Sequence, residues 1–308
     1  MNIDDELRKK VEEIKKIAEE SGLDVSEELS QMEAKITANS KTEKTWKRVE
    51  LARHPDRPYS LDYINRIFDG FIELHGDRYY GDDPAIVGGL GFLNGRAVTI
   101  LANQKGRSLK ENMHRNHGMA NPEGYRKALR LAKQAEKFHR PIVTLIDTSG
   151  AYPGIGAEER GIGESIAMNL REISRLKTPV ICIIIGEGGS GGALGLCVGD
   201  KVYMLENAIY SVISPEGAAS ILLRDATKAK DAAAMLRITS ADLMEFKVIN
   251  GIIEEPKGGA HTNPDETAKR IKEVLVRELD DLCKRNPAAL VRYRNQKILK
   301  LGHWNESN

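Results

Sequence analysis

Twelve of the 28 glycines in this chain lie between residues 140 and 199. They gather directly after two apolar runs, residues 142–146 and 180–185. Glycine takes positive φ and carries no Cβ, so a glycine loop after a strand can aim backbone N–H groups, rather than side chains, into a cavity. The first loop reads Asp147-Thr148-Ser149-Gly150-Ala151-Tyr152-Pro153-Gly154-Ile155-Gly156, followed by Ala157-Glu158-Glu159-Arg160-Gly161. The second reads Gly186-Glu187-Gly188-Gly189-Ser190-Gly191-Gly192-Ala193-Leu194-Gly195, and it ends a strand and opens a helix. At such a place free N–H donors coincide with the positive end of the helix dipole, an arrangement suited to a developing oxyanion. The alternative is that the glycines serve only tight strand-to-helix packing. Five glycines within residues 186–192 exceed what packing alone asks for.

Other chemistries fit less well. Gly154 and Gly156 are not followed by glycine at 159, so the dinucleotide pattern G-x-G-x-x-G is missing, and there is no G-x-x-x-x-G-K-[ST] phosphate loop. Gly188-x-Ser190-x-Gly192 formally matches the nucleophile elbow of serine hydrolases. A hydrolase also needs a downstream acid and histidine, and only His261 and His303 follow Ser190. Three fixed residues in a glycine-rich loop match by chance, which weakens Ser190 as a nucleophile. Cys182, Cys197 and Cys283 contain no C-x-x-C pair, so this chain alone builds neither a disulfide framework nor a four-ligand zinc site. Cys182, inside an apolar run, reads as a small buried hydrophobe, and His114 and His117 read as solvent-facing loop residues. Glu158 and Glu159 read as first-turn carboxylates that complement a helix dipole in preference to a hydratase-type acid.

The elements that must carry these loops follow from periodicity. Short apolar runs at residues 86–87, 97–101, 142–146, 180–185, 202–205 and 210–213 alternate with helical stretches at 122–138, 158–176 and 189–198. That alternation predicts an α/β body of parallel strands joined by right-handed crossovers. Loops at the carboxyl ends of neighbouring parallel strands gather on one edge, so both glycine loops should line one site. Residues 1–50 hold 23 charged residues and one glycine, Gly22. Apolar positions Leu7, Val11, Ile14 and Ile17, a break at Ser21-Gly22, then Leu29, Met32 and Ile36 predict a helical hairpin whose single stripe needs a partner surface. Residues 55–85, rich in proline and glycine, read as a connector with one helix on Tyr63, Ile67, Phe71 and Leu74. Beyond Ser214-Pro215, a helix N-cap and first-turn proline, the chain reads as mostly helical, with a short strand at Ile252-Ile253. Three segments result: 1–50, 51–256 and 257–308, the last belonging to the same domain as the second.

Composition bounds the function class. Lys plus Arg at 46 against Asp plus Glu at 45 gives a formal net charge of +1, with no bulk pull toward nucleic acid or anionic membranes. The longest apolar run, residues 180–186, is far short of the ~20 residues a bilayer requires. The N-terminus opens with Asp4, Asp5 and Glu6 rather than a basic, then apolar, leader. These features predict a cytoplasmic protein.

Several segments, in this order, resemble the alpha-subunit family of bacterial acetyl-CoA carboxylase carboxyltransferases. They are His54-Pro55-Asp56-Arg57-Pro58, Leu74-His75-Gly76-Asp77-Arg78, Gln104-Lys105-Gly106-Arg107, Pro122-Glu123-Gly124-Tyr125-Arg126-Lys127-Ala128, residues 147–161, 186–194 and 211–217, and Gly258-Gly259-Ala260-His261. The resemblance implies a crotonase-like fold, a spiral of ββα units, with an N-terminal helical extension and C-terminal helices. It also implies partners: a beta subunit carrying zinc in an alpha2beta2 assembly, the biotin carboxyl carrier protein, and biotin carboxylase, which uses ATP. The implied reaction moves CO2 from carboxybiotin to acetyl-CoA to give malonyl-CoA. In that scheme the ureido anion left by CO2 loss deprotonates the acetyl methyl, and the enolate attacks CO2. Mapped by motif, Gly191-Gly192 would hold the biotin ureido oxygen, to within one residue of register. Gly154-Ile155, Gly188 and Gly189 would shape the pocket, and the beta subunit would hold the thioester oxygen. Lys105, Arg107, Lys110 and Arg126 read either as contacts to coenzyme A phosphates or as a solvated face. The competing readings are a self-sufficient acyl-CoA hydrolase or hydratase, dependent on Ser190 or Glu158, and a scaffold whose chemistry lies in its partner.

Overall fold

The computed structural model describes residues 3–21 and 24–302. The chain falls into two compact units, Met1–Lys47 with Pro215–Leu236, and Arg48–Ser214 with Arg237–Asn308. The division near residue 48 lies close to the change in composition, and the segment Pro215–Leu236 groups with the N-terminal helices.

The first unit opens with α1 (Ile3–Ser21) and all but the last five residues of α2 (Ser26–Ala52). The expected break falls between them, with Gly22 outside the described residues, as is the side chain of Leu7. Of the described stripe positions on α1, Val11 is buried, whereas Ile14 and Ile17 remain 43% and 62% exposed.

The second unit begins with α3 (Ser60–Ile67), β1 (Asp69–Glu73), β2 (Ile86–Leu93) and β3 (Arg96–Asn103). The helix expected to run through Phe71 and Leu74 stops at Ile67, because Gly70 takes φ 58° and the chain turns into a strand with a register shift between Asp69 and Ile72. β1, β2 and β3 are antiparallel, which corrects the all-parallel expectation. The reason is local. Asn94 (φ 48°) and Gly95 (φ 78°) form a two-residue turn that pairs Leu93 with Arg96, and so short a link allows only an antiparallel partner.

The chain continues through α4 (Leu109–His114), α5 (Pro122–Lys137), β4 (Ile142–Thr148), α6 (Ile155–Glu159), α7 (Ile162–Ile173), β5 (Val180–Gly189), α8 (Ser190–Leu194), β6 (Lys201–Leu205) and β7 (Ile209–Ser211). Pro122 occupies the first turn of α5, where a missing N–H does no harm. In the first unit, α9 (Pro215–Ala218), a π-helical turn over Ala219–Leu223 and α10 (Ala229–Leu236) follow. Ala232 and Ala233 of α10 are fully buried, as close helix packing requires, and Lys230 Nζ pairs with Glu43 of α2 at 3.1 Å. The second unit closes with α11 (Ser240–Glu245), β8 (Gly251–Ile253), α12 (Pro264–Leu282) and α13 (Pro287–Leu299).

The sheet order is β1-β2-β3-β4-β5-β6-β8, with β7 also on β5. From β3 onward every named pairing is parallel. β4 is buried along its whole length and β5 from Val180 to Gly186. Continuous apolar runs of this kind belong to strands covered on both faces.

Candidate functional site

Because β3, β4 and β5 are parallel neighbours, their carboxyl ends share one edge. The first glycine loop leaves β4 there. β5 runs four residues past its expected end at Ile185, so Gly186, Glu187, Gly188 and Gly189, read from sequence as loop, are strand. The extra length is held by a second parallel neighbour, since Glu187, Gly188 and Gly189 pair with Ile209, Tyr210 and Ser211 of β7. On its other side Gly188 stands opposite Thr148 of β4.

The two glycine segments touch. A Cβ at Gly189 would lie 2.1 Å from the Ser149 carbonyl oxygen, and one at Gly192 would lie 2.3 Å from the Gly150 carbonyl carbon and 2.5 Å from Ala151 N. Both neighbours are backbone, so only glycine fits. At Gly191 the nearest heavy atom to an added Cβ would be Ile166 Cδ1 at 3.8 Å, an ordinary contact. Packing therefore accounts for Gly189 and Gly192 but not for Gly191.

Gly189 caps α8, and the N–H groups of residues 190–192 have no intrahelical acceptor. Ser190, the first helical residue, sits at φ 53°, in the left-handed region that a side chain rarely occupies. The short helix is fixed from its far side. Tyr125 Oη donates to the Gly192 carbonyl at 3.1 Å, and Asn169 Nδ2 donates to the Gly195 carbonyl at 3.0 Å.

In the first loop, the Thr148 hydroxyl donates to the Gly150 carbonyl at 2.7 Å and accepts from Gly150 N at 3.1 Å. Gly154 caps α6, packed so that an added Cβ would sit 2.5 Å from the Tyr152 ring. Ile155 follows with 80% of its surface exposed. Glu158 is an exposed first-turn residue of α6, in line with a dipole role.

The charged residues sort into separate groups. Lys105 Nζ donates to Asp147 Oδ1 at 2.7 Å and to Glu187 Oε2 at 3.2 Å, while Arg53 Nε holds Glu187 Oε1 at 2.8 Å. Burial works against the Lys105 charge, yet Asp147 and Glu187 more than offset it and hold the ammonium well above its ordinary pKa. Burial likewise pushes the Glu187 carboxyl up, but Lys105 and Arg53 hold it below the usual range. Arg107 pairs with Asp62 at 2.5 Å and lies over the Tyr59 ring at 4.7 Å. Arg126 pairs with Asp77 at 2.8 Å and donates to the Arg160 carbonyl at 3.0 Å. Lys110 is exposed on α4. Of the four basic residues singled out in the sequence, Lys105 alone is bonded to the ends of β4 and β5.

Sequence reasoning missed two features beside this edge. Asp147 and Glu187 stood inside the quoted glycine segments, and their position as the first charges after apolar strands was the available signal. Arg57, between Pro55 and Pro58, pairs with Glu255 at 2.6 Å and donates from Nε to the Ile185 carbonyl at 2.7 Å. These two partners are distant in sequence, which left no local signal for the pairing.

The hydrolase reading has its strained strand-to-helix turn at Ser190 but lacks a histidine beside it. His261 stacks on His54, with ring centroids 3.8 Å apart, and its buried Nδ1 has no hydrogen-bond partner. Among the described residues no hydrogen bond joins Ser190 to a histidine, and His303 lies outside them. Cys182 and Cys197 are buried, and His114 and His117 are exposed. Among the described residues no group of three His, Cys, Asp or Glu could hold a metal ion, and no helix is long and apolar enough to cross a membrane.

Comparison with known proteins bears on the family and the fold. Residues 2–302 match the family model described as acetyl co-enzyme A carboxylase carboxyltransferase-like. The chain is 68% identical over 293 residues to the acetyl-coenzyme A carboxylase carboxyl transferase subunit alpha of Treponema denticola, covering 95% of this chain and 96% of that one. It is 54% identical over 308 residues to the same subunit of Bacillus cytotoxicus, covering 98% of this chain and 95% of that one. Among solved structures, transcarboxylase 12S with methylmalonyl-coenzyme A and methylmalonic acid bound superposes with a TM-score of 0.59 at 23% identity, over 73% of this chain and 41% of that one. A Pseudomonas malonate decarboxylase hetero-tetramer in complex with coenzyme A gives 0.58 at 17% identity, over 70% of this chain and 86% of that one. These structural likenesses bear on the fold, which is the expected crotonase-like α/β arrangement. The match of the whole sequence goes further, and the chain belongs to the family of acetyl-coenzyme A carboxylase carboxyl transferase alpha subunits.

Proposed function

We propose that this chain forms the biotin-facing half of a carboxyltransferase that moves the carboxyl group from carboxybiotin to acetyl-CoA, giving malonyl-CoA. The observation that carries the reading is the junction of the two glycine segments. It presents the first-turn N–H groups of α8 at the carboxyl edge of the sheet, with room at Gly191 for one added methyl group against Ile166. Carboxybiotin supplies CO2 and, on losing it, a negatively charged ureido oxygen. The N–H groups of Gly191 and Gly192 donate to that oxygen, fixed in direction by Tyr125 and Asn169, which grip the carbonyls of the same turn. One such preorganised donor is worth about 10²- to 10³-fold in rate. Gly154, Ile155, Gly188 and Gly189 bound the pocket, and the exposed Ile155 covers one wall.

A zinc-carrying beta subunit holds the thioester oxygen in an alpha2beta2 assembly, the carrier protein delivers biotin, and the ATP-using biotin carboxylase recharges it in the cytoplasm. Arg107 and Arg126 contact the phosphates of coenzyme A, on chemistry that suits a guanidinium. Reversing both charges raises the KM for the CoA substrate, and an unchanged KM rejects that assignment.

The deciding experiment is biotin-dependent decarboxylation of malonyl-CoA by the chain alone and then mixed with a zinc-finger beta subunit. Activity only in the mixture, lost in Gly191→Val, is the expected result. Activity of the chain alone, or hydrolysis abolished by Ser190→Ala, replaces this reading with a self-sufficient acyl-CoA enzyme. Full transfer by a Gly191→Val complex makes the chain a scaffold.

A further inference from the structure

Four charged side chains meet where β3, β4 and β5 end, and one carboxylate oxygen lies at their centre. Asp147 Oδ1 accepts from Lys105 Nζ at 2.7 Å and from the Glu187 backbone N–H at 3.0 Å. Lys105 also reaches Glu187 Oε2, and Arg53 closes the set on Glu187 Oε1. We propose that Lys105 is a positioning residue. Through Asp147 and Glu187 it fixes the spacing of the two glycine segments and so keeps the Gly191-Gly192 turn in its working place, an inference that rests on the carboxyl-transfer reading.

The chain order makes the connection short. Asp147 stands two residues before Ser149, whose carbonyl oxygen occupies the place of a Gly189 side chain. Glu187 stands two residues before Gly189 and three before Ser190, where α8 begins. A change in the distance between Asp147 and Glu187 is therefore passed to the junction within one turn of chain. A Cβ at Gly186 would fall 2.5 Å from Asp147 Oδ1, so the carboxylate already lies against the β5 backbone.

Lys105 itself is held from behind. Its stem passes Gly118, where an added Cβ would meet Lys105 Cγ at 2.7 Å. The residue before it is tied down by Gln104 N to the Ala85 carbonyl at 2.9 Å and by Leu61 N to Gln104 Oε1 at 2.9 Å. The ammonium arrives at a fixed point rather than at the end of a free side chain. Its side chain is 15% exposed, against 2% for Asp147 and 13% for Glu187. Two cations balance two carboxylates, so loss of Lys105 leaves Asp147 and Glu187 facing each other with Arg53 as the one remaining cation of the four. Repulsion between like charges at partly buried sites then drives the ends of β4 and β5 apart. A coenzyme phosphate would have to displace both carboxylates to reach the same ammonium.

The test uses the full chain carrying Lys105→Met, which keeps an unbranched stem and removes the charge. Amide hydrogen exchange should quicken at least tenfold in both glycine segments, 148–156 and 186–194, and stay unchanged around the buried ion pair of Arg294 (α13) with Asp200, 2.7 Å apart at the opposite end of β5. In complex with the beta subunit, turnover should fall about 10- to 100-fold, the scale of a displacement near 1 Å, with the KM for malonyl-CoA within twofold. Adding Glu187→Gln restores the charge balance and should recover part of both losses, whereas Arg294→Met should lower stability without changing turnover. Faster exchange in one segment only, or equally throughout the chain, overturns the proposal, as does a raised KM at unchanged turnover. If the unaltered complex shows no transfer, the functional reading fails, and the exchange pattern still decides the role of Lys105.

Discussion

Gly191→Ala and Gly192→Ala add the same methyl group one position apart, yet the geometry assigns them opposite outcomes. At Gly192 the new carbon would stand 2.3 Å from Gly150 C and 2.5 Å from Ala151 N. That is more than 1 Å inside the ~3.5 Å of normal carbon contact. The neighbours are main chain of the first glycine loop, so no rotamer change relieves the clash and the loop itself must move. Overpacking of this kind costs about 1–3 kcal/mol, and a backbone obstacle places it at the upper end. At Gly191 the carbon meets Ile166 at 3.8 Å, and replacing a helical glycine gains about 0.5–1 kcal/mol. The two variants should thus differ by about 4 kcal/mol, which separates their melting temperatures by on the order of 10 °C. Thermal unfolding followed by circular dichroism measures the gap, and malonyl-CoA decarboxylation with the beta subunit measures the site. Gly191→Ala should melt at or above the parent temperature, with any loss of turnover arising at the site itself. Equal melting temperatures for the two variants would refute the packing argument, and with it the claim that the glycine segments meet at residues 189–192.

Two further outcomes follow from buried groups. Arg57→Met leaves Glu255 buried without its partner and should lower stability by about 3–5 kcal/mol in denaturant unfolding, whereas replacing both residues by apolar ones should recover most of the loss. His261 is held below its ordinary pKa first by burial and then by His54 and Arg57. Its contribution is therefore present above about pH 6.5 and is lost as pH falls toward the lower folded value. The melting temperature should drop between pH 7 and pH 5, and His261→Phe, which keeps a ring against His54, should flatten that profile. A slope unchanged by His261→Phe would place the titrating group elsewhere.

Some of this molecule was written in short stretches of sequence. The runs 142–146 and 180–185 became β4 and β5 because continuous apolar β-branched residues have few alternatives in a sheet covered on both faces. The glycine segments were visible for the same reason, as local departures in composition placed directly after those runs. Helices α5 and α10 were legible from periodicity and from their starts and ends. The Asn94-Gly95 turn, also local, was present in the sequence and went unread, and the antiparallel edge of the sheet was lost with it.

What sequence could not decide depends on partners far apart in the chain. The extra length of β5 exists because β7, some twenty residues later, offers a second ladder to Glu187, Gly188 and Gly189. Lys105 belongs to carboxylates 42 and 82 residues away, so its basic character alone suggested phosphate. The difference between Gly191 and Gly192 is likewise tertiary, since two adjacent glycines are told apart only by what lies opposite each missing Cβ. Local sequence determined which segments become strand, helix and glycine turn through steric and hydrophobic rules that act over a few residues. The tertiary structure decided which of those glycines are packed shut against backbone, which have room for a side chain, and which charges neutralise one another, because those depend on distances that only the closed sheet creates.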